Sequence, residues 1–376
     1  MLSYWEQQSF TRYDFIVIGS GIVGLSTAIE LKQRFKNAPV LVLERGLLPT
    51  GATTRNAGFA CMGSATELLD DLQHRSEADV VALFNQRKTG LEKLRGRFGD
   101  AAIGYQADGG HELLSERELY ALDKLDYLNN LLQPVLGYDA FTHEEGHIDR
   151  FGFNRQAVKA LIRNNSEGGL HSGMLMQSLL KMAGALGVEI KTGAFVDGFE
   201  EEEKGVRLTV KSPYRADVLP LLAGKLIICT NAFTRQLLPD VDVTPGRGQV
   251  LITDPIPGLK IKGVFHFDQG YYYFRELDGR VLFGGGRNLD FEGETTTEIA
   301  LNERIQADLE EKLRTTILPD TDFAIAQRWA GIMAFGEHKG PIVQAFSDRV
   351  YGAFRMGGMG VALGTEVGAQ LVSMIG

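Results

Sequence analysis

Cysteine is scarce in this chain: the 376 residues include only two, Cys61 and Cys229, far apart in the sequence. That separation excludes a local Cys-x-x-Cys redox pair or a short zinc motif, and so little cysteine suits a reducing cytosol. Basic charge is also in deficit, with 39 Lys and Arg against 48 Asp and Glu and a formal net charge of −9. Gripping a phosphate backbone requires a basic surface, so no nucleic-acid partner is expected. No stretch offers about eighteen uninterrupted apolar residues, so no membrane span is expected. The opening residues, Met1-Leu2-Ser3-Tyr4-Trp5-Glu6-Gln7-Gln8, lack a basic-then-apolar secretion pattern, which makes the cytoplasm the expected location. Repeats and low-complexity tracts are missing too. What remains is an ordinary globular composition, 44% hydrophobic with 45 glycines, in a chain longer than one nucleotide-binding half-fold uses. Two domains are expected.

The most informative stretch is Asp14-Phe15-Ile16-Val17-Ile18-Gly19-Ser20-Gly21-Ile22-Val23-Gly24. Residues 15–18 read as a buried strand and residues 22–35 as the helix it turns into. Gly19 permits the tight turn, Gly21 lets a pyrophosphate approach the backbone, and Gly24 lets helix and strand pack closely. The helix N-terminus, including Ile22 and Val23, presents free N–H groups to the anion. A second strand, residues 40–43, ends at Glu44 and Arg45. Glu44 lies about twenty positions after the last glycine, where a carboxylate can accept ribose hydroxyls. The loop that follows, Gly51-Ala52-Thr53-Thr54-Arg55-Asn56-Ala57-Gly58, emerges beside the pyrophosphate end; its hydroxyls, amide and glycines suit a polyphosphate or a flavin ring edge. In isolation it also reads as a surface turn.

Further along, residues 67–98 read as one or two charged amphipathic helices, 109–114 as a strand and 116–132 as a helix. A second helix-then-strand unit spans 172–191, followed by a polar hairpin, 196–210, whose acidic residues 200–203 form a solvated tip, and by the apolar strand 226–230. Residues 244–286 are rich in strands with Gly/Pro turns, 304–317 are helical, and 331–371 pass through two strands into a small-residue helix. The expected fold class is α/β: a discontinuous Rossmann-like dinucleotide-binding domain from residues 1–75, 146–243 and 326–376. An inserted α+β substrate domain, 76–145 and 244–325, is built on a mixed or antiparallel sheet.

Two further segments carry candidate chemistry. In the hairpin 271–286 the Asp278-Gly279 turn sets the register, with Tyr273 opposite Gly284, Tyr271 opposite Gly286, and Arg275 on the same face. One reading is a wall beside a planar ring, with Arg275 or a tyrosine hydroxyl holding a substrate carboxylate. The other is that the rings merely cover the glycines and Arg275 pairs with Glu276 or solvent. Near the C-terminus, Gly357-Gly358-Met359-Gly360-Val361-Ala362-Leu363-Gly364 opens a helix with glycines 360, 364 and 368 on one face. That face can pack on a sheet, and the helix dipole can stabilise negative charge on a reduced flavin. His111, His266 and His338 share no metal-ligand spacing and read as structural, so no metal is expected.

In this order, Gly19–Gly24 with Glu44, the loop 51–58, the hairpin with Leu282-Phe283-Gly284-Gly285-Gly286, Trp329-Ala330-Gly331 and Gly360-Val361-Ala362-Leu363 resemble the D-amino-acid oxidase superfamily of FAD-dependent amine oxidoreductases. The likeness covers almost the whole chain and is greatest to the glycine oxidase and γ-glutamylputrescine oxidase-like branch. It implies bound FAD, with Thr230-Asn231-Ala232 bringing backbone to the pyrophosphate, Val196 at the adenine, and Gly331 and residues 357–361 around the flavin. Some relatives attach the flavin through a cysteine near residues 332–333 and others through a histidine in the loop that holds Arg55. This chain has neither, which implies non-covalent FAD. The resemblance further implies oxidation of a small amine or amino acid to an imine, with O2 or another molecule as electron acceptor; no lysine stands at Phe283 or its neighbours to activate oxygen as in sarcosine-oxidase-like enzymes. Two alternatives stay open: the flavin domain of an enzyme modifying a tRNA wobble base, which the acidic balance disfavours, and a non-enzymatic dinucleotide-binding protein.

Overall fold

The computed structural model describes residues 2–211 and 218–376. The chain forms two compact units, one from Met1–Thr54, Gly173–Gly246 and Met333–Gly376, the other from Arg55–Ser172 and Arg247–Ile332. Relative to the division expected from the sequence, residues 55–75, 146–172 and 326–332 fall in the second unit and residues 244–246 in the first. The physical reason is strand pairing: Phe59 and Ala60 pair with Gly169 and Gly168, and strand Ala160–Asn164 pairs with Gly110–Leu114.

The first unit is built on a sheet whose central strands are all parallel. Arg12–Ile18 lies between Val40–Leu43 and Val218–Ile228, with Val17 opposite Val42 on one side and Ile227 on the other. Glu189–Lys191 extends the sheet beyond Val40–Leu43, while Val350–Phe354 and then antiparallel Ile342–Ala345 extend it the other way. A parallel strand covered on both faces needs a continuous apolar run, and Phe15–Ile18 and Val40–Leu43 are buried throughout. The hairpin Phe195–Glu202 and Gly205–Lys211 adds antiparallel strands to Val218–Ile228. Its inward residues Val196, Val206, Leu208 and Val210 join Ile16, Leu41 and Leu226 in one core cluster.

Two helices of this unit meet through glycine. A Cβ on Gly364 would lie 2.8 Å from Ile22 Cγ2, and one on Gly368 would lie 2.9 Å from the Thr27 nitrogen. The glycine face of Gly360–Ser373 therefore packs on the helix Ile22–Arg34, not on a sheet as the sequence suggested.

The second unit centres on an eight-stranded mixed sheet in the order Ile325–Phe335, Thr244–Thr253, Arg280–Gly285, Tyr272–Leu277, Val264–Phe267, Gly110–Leu114, Ala160–Asn164, Phe141–His143. One face carries a core of Phe151, Phe153, Phe265, Tyr272, Phe274 and Phe283, closed by Ile305, Leu309 and Leu313. The charged stretch 67–98 resolves into two helices, Ala65–His74 and Glu77–Phe98, because Ser76 accepts from the Asp79 N–H and starts a new helix. The helix expected over 116–132 is a 3-10 segment, Glu116–Lys124, running into the α-helix Leu125–Leu136. Among the described residues no helix is long and apolar enough to cross a membrane.

Candidate functional site

In the first unit the fingerprint glycines do three different jobs. Gly19 has φ +103°, and a Cβ there would sit 2.6 Å from the Cys229 carbonyl oxygen. Gly24 is the closest approach, since a Cβ would fall 1.9 Å from the Gly19 carbonyl oxygen. Gly21 differs: its backbone is extended (φ −74°, ψ −178°), and a Cβ would meet only Thr53 Oγ1, at 3.2 Å. It is the N-cap of Ile22–Arg34 and offers no side-chain cap, while Ile22 donates its N–H to Thr53 Oγ1 at 3.0 Å. The result is a helix N-terminus with room before it, the geometry a phosphate fills. This space and the ribose carboxylate described next fit the ADP half of FAD.

Glu44 stands at the end of Val40–Leu43, where Oε2 accepts from the Ser20 N–H (3.2 Å) and hydroxyl (2.8 Å) and Oε1 from the Gly46 N–H (2.9 Å). A carboxylate has roughly four lone-pair sites, so Glu44 keeps room for one further donor, and the Ser20 hydroxyl can rotate away to free another. The Ala194 N–H donates to the Glu44 carbonyl at 2.9 Å, which brings buried Val196 alongside. The Arg45 guanidinium lies 3.6 Å above the Phe233 ring. The loop beginning at Gly51 contains a short helix, Ala52–Arg55, with the Thr54 hydroxyl bonded to the Pro49 carbonyl at 2.6 Å.

Across the same unit, Thr230, Asn231 and Ala232 lie where Cys229 donates its N–H to the Ile18 carbonyl at 2.9 Å, just beyond the first strand. Asn231 is left-handed (φ 47°), and its Oδ1 accepts from the N–H groups of Arg355 (3.1 Å) and Met356 (3.4 Å). Arg355 pairs with Asp242. Those bonds set the chain before Gly357 and Gly358, after which Met359, again without a side-chain cap, opens the helix containing Gly360 and Val361. Among the described residues, the first unit therefore holds two helix N-termini whose N-cap residues, Gly21 and Met359, contribute no side-chain cap, although Thr53 accepts from the Ile22 N–H at the first.

In the second unit, Arg55 donates to the Ala330 carbonyl at 2.8 Å and its own carbonyl accepts from the Trp329 indole at 3.0 Å, beside Gly331. Asn56 Oδ1 accepts from the Gly58 N–H (2.7 Å) and the Ser172 hydroxyl (2.7 Å), and Ala57 packs with Val250 and Leu282. The hairpin register is as the sequence predicts: Tyr273 faces Gly284, and Asp278 (φ 53°) and Gly279 (φ +73°) make the turn. Tyr273 closes over Gly284, where a Cβ would lie 2.6 Å from its ring, and meets Phe59 edge-on at 5.6 Å. Burial pushes its phenol up to about 12. Tyr271, by contrast, is 39% exposed and follows three left-handed residues, Asp268, Gln269 and Gly270.

Arg275 is neither on the outer face nor aimed at open space. It is 3% exposed, and its guanidinium donates to the carbonyls of Gly58 (2.9 Å), Leu170 (2.8 Å) and Glu276 (3.1 Å) and to Gln106 Oε1 (3.0 Å). The expected carboxylate fork is thus spent on backbone. Arg328 is likewise bonded to Gln306 and Glu310.

Sequence reasoning missed one cluster. His266, read as a lone structural histidine, lies with Nε2 3.4 Å from Cys61 Sγ and 3.1 Å from Glu167 Oε2, all buried. Glu167 Oε1 accepts from the N–H groups of Met62 (2.8 Å) and Gly63 (3.1 Å). Burial pushes the Cys61 thiol up to about 11. Burial opposes charge on His266 too, but Cys61 and Glu167 outweigh it and hold the imidazole well above its usual value. No spacing signal could have joined three residues from such distant stretches.

Comparison with known proteins agrees with the cradle. The profile described as FAD dependent oxidoreductase (DAO) matches residues 14–374. The bifunctional protein ThiO/ThiG of Trichormus variabilis is 25% identical over 285 residues, 72% of this chain but only 39% of that relative's length. The probable oxidoreductase OrdL of Haemophilus influenzae is 24% identical over 380 residues, 96% of this chain and 82% of that protein. Among solved structures, glycine oxidase from Geobacillus kaustophilus shares the fold with a TM-score of 0.77 at 18% identity, covering 97% of this chain and 94% of that one. The glycine cradle at a helix start and a profile match spanning nearly every residue lead to one assignment: this chain belongs to the FAD-dependent oxidoreductase (DAO) family.

Proposed function

We propose that the protein oxidises the C–N bond of a small amine or amino acid, using FAD bound without a covalent link. When bound, the flavin supplies the redox chemistry, accepting a hydride equivalent from the carbon that carries the neutral amine; the imine then hydrolyses. The observation that carries this reading is the open helix start at Gly21, beside a ribose-binding carboxylate, in a chain of the DAO family. Gly21, Val23, Gly24 and Glu44 hold the ADP half, backbone at 230–232 borders the pyrophosphate, and the helix start at 357–361 lies against the flavin, where its dipole favours negative charge. An amino-acid substrate is supported by the name glycine oxidase on a protein of the same fold.

In the second unit the substrate contact is assigned to Tyr271, which is exposed and held by a strained turn. The Tyr271 ring meets Phe291 edge-on, while Tyr273, inside the strand Tyr272–Leu277, stays packed over Gly284. Arg275 is a positioning residue that fixes Gly58 and Leu170 to the hairpin.

The test is anaerobic bleaching of the yellow holoprotein across amino acids, N-methyl amines and polyamine conjugates. Reduction by at least one, with saturation weakened in Tyr271→Ala at equal FAD content, supports the reading. No bleaching by any amine at full FAD occupancy sinks it and leaves a storage or sensing role. Tight heparin binding at low salt would instead favour the tRNA-modifying alternative.

A further inference from the structure

Three donor types meet inside the second unit: a thiol, an imidazole and a carboxylate. Cys61 follows the short strand Phe59–Ala60, Glu167 precedes Gly168–Gly169, and His266 sits on Val264–Phe267. Their ligand atoms all lie within 4.8 Å of one another, and none of the three residues is exposed.

Hydrogen bonding through a single Nε2 proton uses the three groups only in part. His266 Nε2 is 3.4 Å from Cys61 Sγ and 3.1 Å from Glu167 Oε2. A ring nitrogen carries at most one proton. If Nε2 bears it and donates to Glu167, the thiol proton of Cys61 has no acceptor on the ring. If Nε2 is bare and accepts from the thiol, its lone pair faces the carboxylate oxygen. A cation among the three atoms uses them together, because all three then offer lone pairs to one centre.

The separations suit a particular cation. With Zn–S about 2.3 Å, Zn–N and Zn–O about 2.0–2.1 Å and tetrahedral angles, ligand atoms sit about 3.3–3.6 Å apart. The two separations from His266 Nε2 are 3.4 Å to Cys61 Sγ and 3.1 Å to Glu167 Oε2, within a few tenths of an ångström of those values, and all three ligand atoms lie within 4.8 Å of one another. Thiolate and imidazole are donors that Mg²⁺ and Ca²⁺ avoid. The surroundings already fix the donors: Met62 and Gly63 N–H groups hold Glu167 Oε1 and turn Oε2 to the cluster. Arg87 Nη1 holds the Met62 carbonyl at 2.7 Å and Asn164 Nδ2 the Gly63 carbonyl at 3.1 Å, so the backbone after Cys61 is tied down. Such outer contacts orient ligands in metal sites.

We propose that Cys61, Glu167 and His266 form a zinc site with three protein ligands and a fourth position for water. Binding balances in charge: Zn²⁺ enters and two protons leave, one from the Cys61 thiol and one shared by His266 and Glu167. The site is independent of the amine-oxidation reading.

The test uses the FAD-loaded protein expressed in zinc-supplemented medium and gel-filtered. About one zinc per chain is expected, with zinc-edge X-ray absorption showing one sulfur scatterer near 2.3 Å and nitrogen or oxygen near 2.0 Å. Cys61→Ser and His266→Gln should each lower zinc content at least tenfold while flavin content reports that the fold survives. Should a variant fail to fold, the wild-type absorption spectrum decides alone. Zinc below a tenth per chain, a zinc shell without sulfur, or the same sulfur-containing shell in folded Cys61→Ser would each overturn the proposal.

Discussion

Replacing Gly21 with alanine separates the cofactor cradle from the fold that carries it. The backbone at Gly21 is extended, so alanine adopts it without strain, and the new methyl meets only Thr53 Oγ1 at 3.2 Å, which must yield a few tenths of an ångström. In the cofactor-free protein the change should be neutral or stabilising by up to about 1 kcal/mol, through lost freedom of the unfolded chain. With FAD the same methyl occupies the approach to the Val23 and Gly24 N–H groups. Losing two hydrogen bonds to a charged phosphate, at about 1.5–3 kcal/mol each, removes about 3–6 kcal/mol, or roughly 10²- to 10⁴-fold in affinity. Gly24→Ala is the control with the opposite character. Its Cβ would fall 1.9 Å from the Gly19 carbonyl oxygen, so helix and turn must separate and the free protein itself loses stability, by about 1–3 kcal/mol or more. The assay pairs FAD titration of flavin-stripped protein, read by fluorescence quenching, with urea melts of the same samples. An FAD affinity for Gly21→Ala within threefold of wild type would refute the cradle, as would a Gly24→Ala melt indistinguishable from wild type.

Three other outcomes are expected. Arg275→Lys should lower the urea midpoint, because one ammonium cannot serve the Gly58, Leu170 and Glu276 carbonyls together, and each buried acceptor left unpaired costs about 1–3 kcal/mol; an unchanged midpoint would show that the clamp is dispensable. Glu294 is buried, and although burial raises its carboxyl, bonds from Arg247, Gln249 and Asn302 outweigh this and hold it below the usual carboxylate value. A depressed folded value means the stabilisation is present above the unfolded value and disappears as pH falls through the folded one. The stability gap between wild type and Glu294→Gln should therefore be widest above pH about 5 and narrow in acid, and a gap that ignores pH would contradict the assignment. Finally, no cysteine follows Cys229, so acid or heat denaturation should release the flavin into solution; flavin migrating with the denatured chain would disprove non-covalent binding.

The cradle was legible in the sequence because it is local. Gly19, Gly21 and Gly24 act within one turn, and Glu44 closes the next strand, so spacing alone carries the geometry. The hairpin register was legible for a similar reason, since Asp278-Gly279 permits one tight turn and period two then places Tyr273 on Gly284. What period two cannot give is the far side of the contact. It places Arg275 on a face but not against Gly58, Gln106 and Leu170, which arrive from more than a hundred residues earlier. The Cys61, Glu167 and His266 cluster escaped on the same ground. The unit boundaries slipped because two-residue strands, Phe59–Ala60 and Gly168–Gly169, leave no periodic signal yet decide where residues 55–75 and 146–172 belong.

The packing of Gly360–Ser373 on Ile22–Arg34 through Gly364 and Gly368 has a temporal side. During synthesis at about 5–20 residues per second, the helix that starts the cradle leaves the ribosome roughly 20–70 s before the helix that covers it. In that interval the glycine-bearing partner, the strand Val350–Phe354 and part of the parallel sheet do not yet exist. Apolar faces of the early strand and helix are therefore held open longest, and chaperone binding should concentrate on nascent chains that end between residues 35 and 350. FAD capture that needs the helix start at 357–361 then waits until the helix Gly360–Ser373 has been made, and flavin supply should affect how much folded protein survives rather than how fast the first unit begins to fold.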